Sequence, residues 1–335
     1  MAVVAPAGPF DRDSFDAGLA IVADRYRVQY DPGIFRRHRY LAGDDERRLA
    51  ELNHAFTDPT LRAVFCARGG YGTLRLLQRL ESQRPAMPVT KQAKASPPPP
   101  SQPPAAQQAP GQSAAGQPTA AAPLTTRPLA GQPATGKPIV GFSDITALHQ
   151  WQQRHGLISI HGPVLTQLGR LGRTTRERLF SLLESSSPAE SLHGTATFVE
   201  GTAEGPLLGG NLSVFTRLLG TPFMPSLDGA ILLLEDVGER PYRLDRMWTH
   251  LELAGVFAKV NGIALGSFTH CEERDENYTS QDLLRELAVA TGLPCVAGFP
   301  IGHGDVNEPV PLGVRVRLDG AAGRLTFLES AVSEE

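Results

Sequence analysis

Apolar residues fall along this chain in two alternating rhythms. Short, nearly continuous apolar runs occur at Ala2–Ala5, Leu61–Ala67, Pro138–Phe142 and Leu157–Ile160. Such runs, bounded by turn residues, predict strands buried on both faces. Tyr26–Tyr30 predicts a further strand. Between the runs, apolar residues recur at helical spacing. Phe15, Leu19 and Val22 form one stripe, and Leu49, Leu52 and Phe56 follow the start signal Asp44-Asp45. Leu74, Leu77 and Leu80 form a short one, and Ile145, Leu148 and Trp151 run to about His155 before Gly156 stops them. Strands alternating with helices predict a parallel sheet with helices on both sides. Residues 164–190 read as helix and loop, a bridge to a second series. There, strands are predicted at Thr195–Val199, Ala230–Leu234, Ile263–Phe268 and Cys295–Phe299, and helices through Leu212, Phe215 and Leu219, at Tyr242–Ala254 and at Ser280–Thr291. Val314–Leu318 and Arg324–Leu328 predict a closing hairpin around Asp319-Gly320.

One stretch breaks the pattern. Residues 85–137 hold 13 of the chain's 28 prolines, with no aromatic and no acidic residue. Chain of that composition cannot bury enough apolar surface to offset its ordering entropy. It reads as a disordered insertion, because the strand at Pro138 resumes the earlier pattern and long surface insertions cost little closure entropy. The remaining composition is ordinary for a globular protein of 335 residues, enough for two domains. A formal net charge of −3 gives no reason to invoke nucleic acid or an anionic membrane. Cys66, Cys271 and Cys295 are widely spaced and form no C-x-x-C pair, so neither a disulfide framework nor a zinc site is signalled and buried free thiols are expected. Met1–Pro6 lacks a basic leader and a long apolar run, and no run approaches a membrane span. A cytoplasmic protein is the expectation.

Several places are candidates for chemistry. Ser143 sits where an apolar strand turns into a helix, two residues after Gly141. A serine there is either the nucleophile of an elbow-like turn or a helix cap. Arg68-Gly69-Gly70-Tyr71-Gly72 follows a strand closely, and its exposed N–H groups suit an oxyanion or a plain tight turn. Neither dinucleotide nor P-loop spacing is present, so no nucleotide cofactor is expected. A serine nucleophile needs a base and an orienting carboxylate. His149, His161 and His303 are the candidate bases. Glu235 is carried to the end of an apolar strand, with Asp236 and Glu239 as competitors and Arg240, Arg243 and Arg246 as ion-pair partners. His270-Cys271-Glu272-Glu273 lacks the spacing of a metal site and reads as a solvated loop.

With these residues in view, the chain resembles the LD-carboxypeptidases, a family of cytoplasmic serine peptidases. The resemblance excludes roughly residues 81–137 and rests on Val4-Ala5-Pro6-Ala7-Gly8-Pro9, the glycine turn 67–72, Gly141-Phe142-Ser143-Asp144, His161-Gly162-Pro163, Gly209-Gly210-Asn211-Leu212, Leu234-Glu235-Asp236 and Gly302-His303-Gly304. It implies an α/β fold. An N-terminal amidotransferase-like parallel-sheet domain (1–165) would hold the nucleophile, and a linker (166–200) would lead to a smaller C-terminal β-rich α/β domain of the swivelling type (201–330). It further implies catalysis by Ser143, Glu235 and His303, with an oxyanion hole from the backbone of Asp144 and Gly70. Arg68, Tyr71, Asn211 and Arg240 are the candidates for holding substrate carboxylates. Neither metal nor cofactor is implied.

The expected partner is a small peptide, murein tetrapeptide, whose terminal D-alanine would be released across an L,D-bond during peptidoglycan recycling. The alternatives are a microcin-immunity-type carboxypeptidase acting on a peptidyl or aminoacyl nucleotide, and a non-catalytic binding protein of the same fold. Whether the chain forms a homodimer is left open by its sequence. An ordinary α/β-hydrolase fits less well, since Gly141-Phe142-Ser143-Asp144-Ile145 lacks the final glycine of G-x-S-x-G. Family members bridge the glycine turn and the serine strand with a shorter folded segment, and residues 85–137 depart from that pattern.

Overall fold

A computed structural model describes residues 1–83, 125–126, 136–273 and 277–333. The expected disordered insertion lies outside these, apart from 125–126 and 136–137.

The first sheet has the order Ala2–Val4, Val64–Cys66, Ile139–Gly141, Ser159–His161, Val310–Leu312. Its first four strands are parallel and the last is antiparallel. Period-two alternation sorts its side chains onto two faces. Val4, Val64 and Ile139 pack on one face with Leu49, Leu52, Leu77, Leu148 and Trp151. Val3, Phe65 and Val140 pack on the other with Phe15, Val22, Leu165 and Leu179. The covering helices begin where their caps stand. Asp11 accepts from the N–H of Ser14 to start Arg12–Ala23, and Asp44 accepts from that of Arg47 to start Asp45–Thr57, both at 2.8 Å.

The second sheet has eight strands, in the order Leu192–His193, Arg324–Phe327, Arg315–Asp319, Thr202–Asn211, Ile231–Val237, Gly262–Thr269, Cys295–Ala297, Ala196–Val199. Its two edge strands are joined by Gly194 and Thr195 alone, so the sheet must curl until its edges nearly meet. Val296, Leu207, Leu233, Val316 and Leu318 fill the inside of the curl. The outer face is covered by Pro241–Leu253 and Ser280–Thr291 through Leu244, Trp248, Leu251 and Leu284.

One expected strand is absent, and two strands were not expected. Tyr26–Tyr30 is not a strand: only Gln29 bridges Ala2, because Asp31-Pro32 immediately starts a 3-10 turn. Thr202–Asn211 is a ten-residue strand whose first half has too few apolar residues to be visible as one. Val310–Leu312, from the second half of the chain, completes the first sheet beside Ser159–His161.

Helix Thr146–Arg154 joins the two sheets directly. Thr146 Oγ1 accepts from the N–H of Asn211 at 2.9 Å, and Gln150 Nε2 donates to the carbonyl of Gly209 at 2.8 Å. Gly210 has φ +134° and lies against Thr146, where any side chain would collide. The Gly209-Gly210-Asn211 string is therefore the seat on which the serine-bearing helix docks.

Candidate active site

The strand Ile139–Gly141 ends in a sharp turn because Gly141 has no side chain. A Cβ there would lie 3.0 Å from Ile145 Cγ1 and 3.1 Å from Cys66 Cβ. Ser143 then adopts φ +63°, a left-handed conformation that a residue with a side chain rarely takes. Such strain persists only where the surroundings over-determine it, and it clusters at active sites. The surroundings here are the glycine turn. A Cβ on Gly69 would lie 2.9 Å from Ser143 Cβ, so only glycine lets the two turns touch. Asp144 fastens them together: its carboxylate accepts from Thr73 N–H at 2.8 Å and from Thr73 Oγ1 at 2.6 Å. Burial raises the Asp144 pKa, and the Thr73 donors and Arg48 oppose that rise. Among the described residues, the N–H groups of Asp144 and Gly70 have no hydrogen-bond acceptor.

Glu235 comes from the second sheet. The strand Ile231–Val237 carries it, in register with Asn211, to a position with no solvent exposure. Its Oε2 accepts from His303 Nδ1 at 2.7 Å, and its Oε1 stands 3.8 Å from His161 Nε2. Burial works to raise the Glu235 pKa, but the two imidazoles outweigh it and hold the carboxyl below its usual value. Imidazoles, not the nearby arginines, therefore accompany this buried carboxylate. Asp236, on the opposite face of the strand, is bonded to Asn211 Nδ2 and to the N–H groups of Ser213 and Val237, and burial pushes its pKa up to about 6.

His303 sits on a braced loop. Gly302 N–H donates to Asn307 Oδ1 and Gly304 N–H to Ser267 Oγ, both at 2.9 Å. Gly302 has φ +104°, and a Cβ on it would run into the Glu235 carboxylate. Gly302→Ala meets both penalties. It should lower turnover at least about a hundredfold and destabilise the fold by roughly 2–5 kcal/mol, measured by urea unfolding beside kinetics.

Ser143 and His303 line one cavity of about 580 Å³. The Phe142 ring lines the same cavity, 4.6 Å from the His303 ring. Gly69, Gly70 and the cations Arg37, Arg68 and Arg170 line the same space. Arg68 donates to the carbonyl of Pro9, and Arg170 Nη2 to Ser14 Oγ at 3.4 Å. A second cavity of about 570 Å³ over the edge strand Ala2–Val4 holds Arg47 and Glu51 but neither Ser143 nor His303.

Other sequence candidates are placed elsewhere. Tyr71 is half exposed, 5.8 Å from the Tyr40 ring, and does not line the cavity. Asn211 is buried, its amide spent on Asp236 and on capping Val214 N–H, because the docking seat needs both. Arg240 is exposed and 3.7 Å from Glu273. Glu272 caps Ser280–Thr291 by accepting from Ser280 N–H at 2.8 Å, and the described residues contain no metal-holding group of His, Cys, Asp and Glu. All three cysteines are buried free thiols. Sequence reasoning missed Arg37 and Arg170, which stand in ordinary polar stretches, and the bracing residues Thr73, Ser267 and Asn307. Arg37 alone had a signal, the basic run Arg36-Arg37-His38-Arg39.

His149 is structural. Its Nε2 donates to the carbonyl of Gly141 at 2.8 Å, steadying the serine strand from behind. Burial, with a smaller contribution from His161, pushes its pKa down to about 3. A neutral folded histidine that charges on unfolding costs stability as pH falls from about 6.5 towards about 3. Between pH 7 and pH 5 this group alone should remove roughly 2 kcal/mol. Chemical denaturation of wild type and His149→Gln at both pH values should show a shallower decline in the variant.

Two α/β units, one giving a strained serine and the other a buried imidazole–carboxylate couple, make a peptidase-like arrangement. Residues 1–92 match the LD-carboxypeptidase N-terminal domain and residues 204–318 the LD-carboxypeptidase C-terminal domain. The chain belongs to the LD-carboxypeptidase family. It is 33% identical to a murein tetrapeptide carboxypeptidase of Pseudomonas aeruginosa, over 96% of this chain and 93% of that one. The crystal structure of a muramoyltetrapeptide carboxypeptidase from Oxalobacter formigenes superposes with a TM-score of 0.72 at 26% identity, covering 98% of each chain. The microcin C7 self-immunity protein of Escherichia coli is 28% identical over 59% of this chain and 67% of its own. No helix among the described residues is long and apolar enough to cross a membrane.

Proposed function

We propose that this protein is a serine carboxypeptidase that hydrolyses the L,D-peptide bond of murein tetrapeptide and releases its terminal D-alanine. The observation that carries the proposal is the 2.7 Å contact of His303 Nδ1 with buried Glu235, in a cavity shared with a left-handed Ser143. Glu235 accepts a hydrogen bond from Nδ1–H, which leaves the Nε2 lone pair of His303 free to act as base. His303 Nε2 takes the proton of Ser143 as Oγ bonds to the scissile carbonyl carbon. The N–H groups of Asp144 and Gly70, lacking other acceptors, receive the oxyanion, each such donor being worth roughly 3 kcal/mol of barrier. The imidazolium gives its proton to the departing amine, the C–N bond breaks, and D-alanine leaves. Water, deprotonated by the same imidazole, then cleaves the ester and frees Ser143.

A murein tetrapeptide carries several carboxylates, and Arg37, Arg68 and Arg170 supply matching cations around the cavity. On this proposal residues 1–165 supply the alcohol and 201–330 the imidazole–carboxylate couple, while 166–200 carry the chain between the two sheets and add the edge strands Leu192–His193 and Ala196–Val199 to the second. The activity belongs to cytoplasmic recycling of peptidoglycan fragments. Mass spectrometry of murein tetrapeptide incubated with the protein should show tripeptide and free D-alanine. Preferential cleavage of an aminoacyl sulfamoyl adenosine would instead favour the microcin-immunity type, and no product from either a binding protein.

A further inference from the structure

His161 is a fully buried imidazole that the mechanism above does not use. It ends the strand Ser159–His161, opposite Gly141 on one side and Val310 on the other, immediately beside the serine turn. Its Nε2 faces Glu235 Oε1 at 3.8 Å, and the Phe142 ring stands edge-on to it at 5.9 Å. Neither ring nitrogen of His161 nor Glu235 Oε1 has a direct hydrogen-bond partner among the described residues. The charged and titratable neighbours are few. His303 occupies the other oxygen of Glu235. His149, 6.1 Å from His161 ring to ring, has its Nε2 proton committed to Gly141. Asp236 follows Glu235 on the strand, and its carboxylate is engaged with Asn211 and Ser213.

A carboxylate out of water with one oxygen unbonded is costly, and it tends to take up a proton instead. A protonated Glu235 could no longer stabilise an imidazolium at His303. His303 is already bonded to Oε2, so the imidazole left to serve Oε1 is that of His161. A shift of about 1 Å brings the 3.8 Å separation into hydrogen-bond range. We propose that His161 is a positioning residue for the catalytic couple: its Nε2–H serves Glu235 Oε1, keeps the carboxylate ionised and fixes its rotation so that Oε2 stays on His303 Nδ1. The inference rests on the triad proposed above. It adds a second imidazole on the far side of the carboxylate, one that touches neither substrate nor the reacting atoms.

The test uses three variants of the full chain. His161→Gln places an amide N–H near the Nε2 position, His161→Asn places one nearer Nδ1, and His161→Leu keeps bulk without a donor. Two quantities are read between pH 5 and pH 9: the rate at which a fluorophosphonate labels Ser143, and kcat and KM for murein tetrapeptide. Thermal melts check folding. For His161→Leu we expect kcat down about 10- to 100-fold with KM within about twofold, and the acidic limb of the labelling profile raised by about one pH unit. His161→Gln should recover to within about threefold of wild type. A folded His161→Leu variant that labels like wild type at every pH overturns the inference. So do Gln and Leu variants that slow equally with unmoved acidic limbs, which is the signature of packing alone. If His161→Leu does not fold, the Gln and Asn variants decide: a Gln variant at least about tenfold faster than Asn supports the inference, and equal rates overturn it. A wild-type chain that the fluorophosphonate does not label would remove the triad itself, a different outcome from a labelled wild type with indifferent His161 variants.

Discussion

Ser143→Ala should abolish D-alanine release, with kcat lowered about 10⁴- to 10⁶-fold and tetrapeptide affinity nearly unchanged. Removing the nucleophile of a serine hydrolase costs a factor of that order, because base, orienting acid and oxyanion donors act only through the bond it forms. Affinity should survive because Arg37, Arg68 and Arg170, which line the cavity and are assigned here to the carboxylates, are untouched. Alanine relieves little backbone strain, since it also has a Cβ at φ +63°. Stability should therefore stay within about 1 kcal/mol of wild type. Initial rates of D-alanine formation and calorimetric titration with tetrapeptide measure the two effects. A variant that keeps more than about a hundredth of the rate would remove Ser143 from the chemistry.

The second large effect is expected from Glu235→Gln. The replacement preserves shape and removes the charge. Its amide can offer an N–H to His303 Nδ1, which favours the tautomer with the proton on Nε2, where the base is needed. The comparable change in other serine hydrolases costs about 10⁴ in kcat, and a loss of about 10³- to 10⁴-fold is expected here. Stability should fall modestly, since the two imidazoles more than offset the burial of the carboxylate and the folded state therefore favours the charge that the amide lacks. Activity lost far out of proportion to a small drop in the unfolding midpoint is the signature of an electrostatic role. A parallel collapse of both would mean that Glu235 mainly holds the two sheets in shape.

Much of this arrangement was legible in the chain because strong local signals coincided with it. Four aliphatic residues, Ile231–Leu234, forced Glu235 to the end of a buried strand. Gly141 marked the turn at Ser143, and Gly302 and Gly304 marked a loop from which a histidine could project. The strand–helix alternation exposed the first sheet for the same reason: its strands are buried on both faces, so their apolar runs are unbroken. Features that depend on long-range contact were not legible. Val310–Leu312 is a three-residue segment, too short to declare which sheet it joins, and it pairs with Ser159–His161. Asn211 was one of four candidates for the substrate carboxylates, and nothing in the spacing decided among them. Its partners are instead Asp236, 25 positions away, and Thr146, 65 positions away. Arg37 and Arg170 gained their significance only when folding placed them around Ser143.

The central claim is that the alcohol of Ser143 is activated by a couple brought from the other sheet. Fluorophosphonate labelling of the folded chain at pH 7.5, followed by digestion and mass mapping, tests it most directly. The account predicts one adduct, on Ser143, whose rate of formation falls at least about a hundredfold in His303→Ala. An adduct elsewhere, an unlabelled wild type, or full labelling without His303 would contradict it.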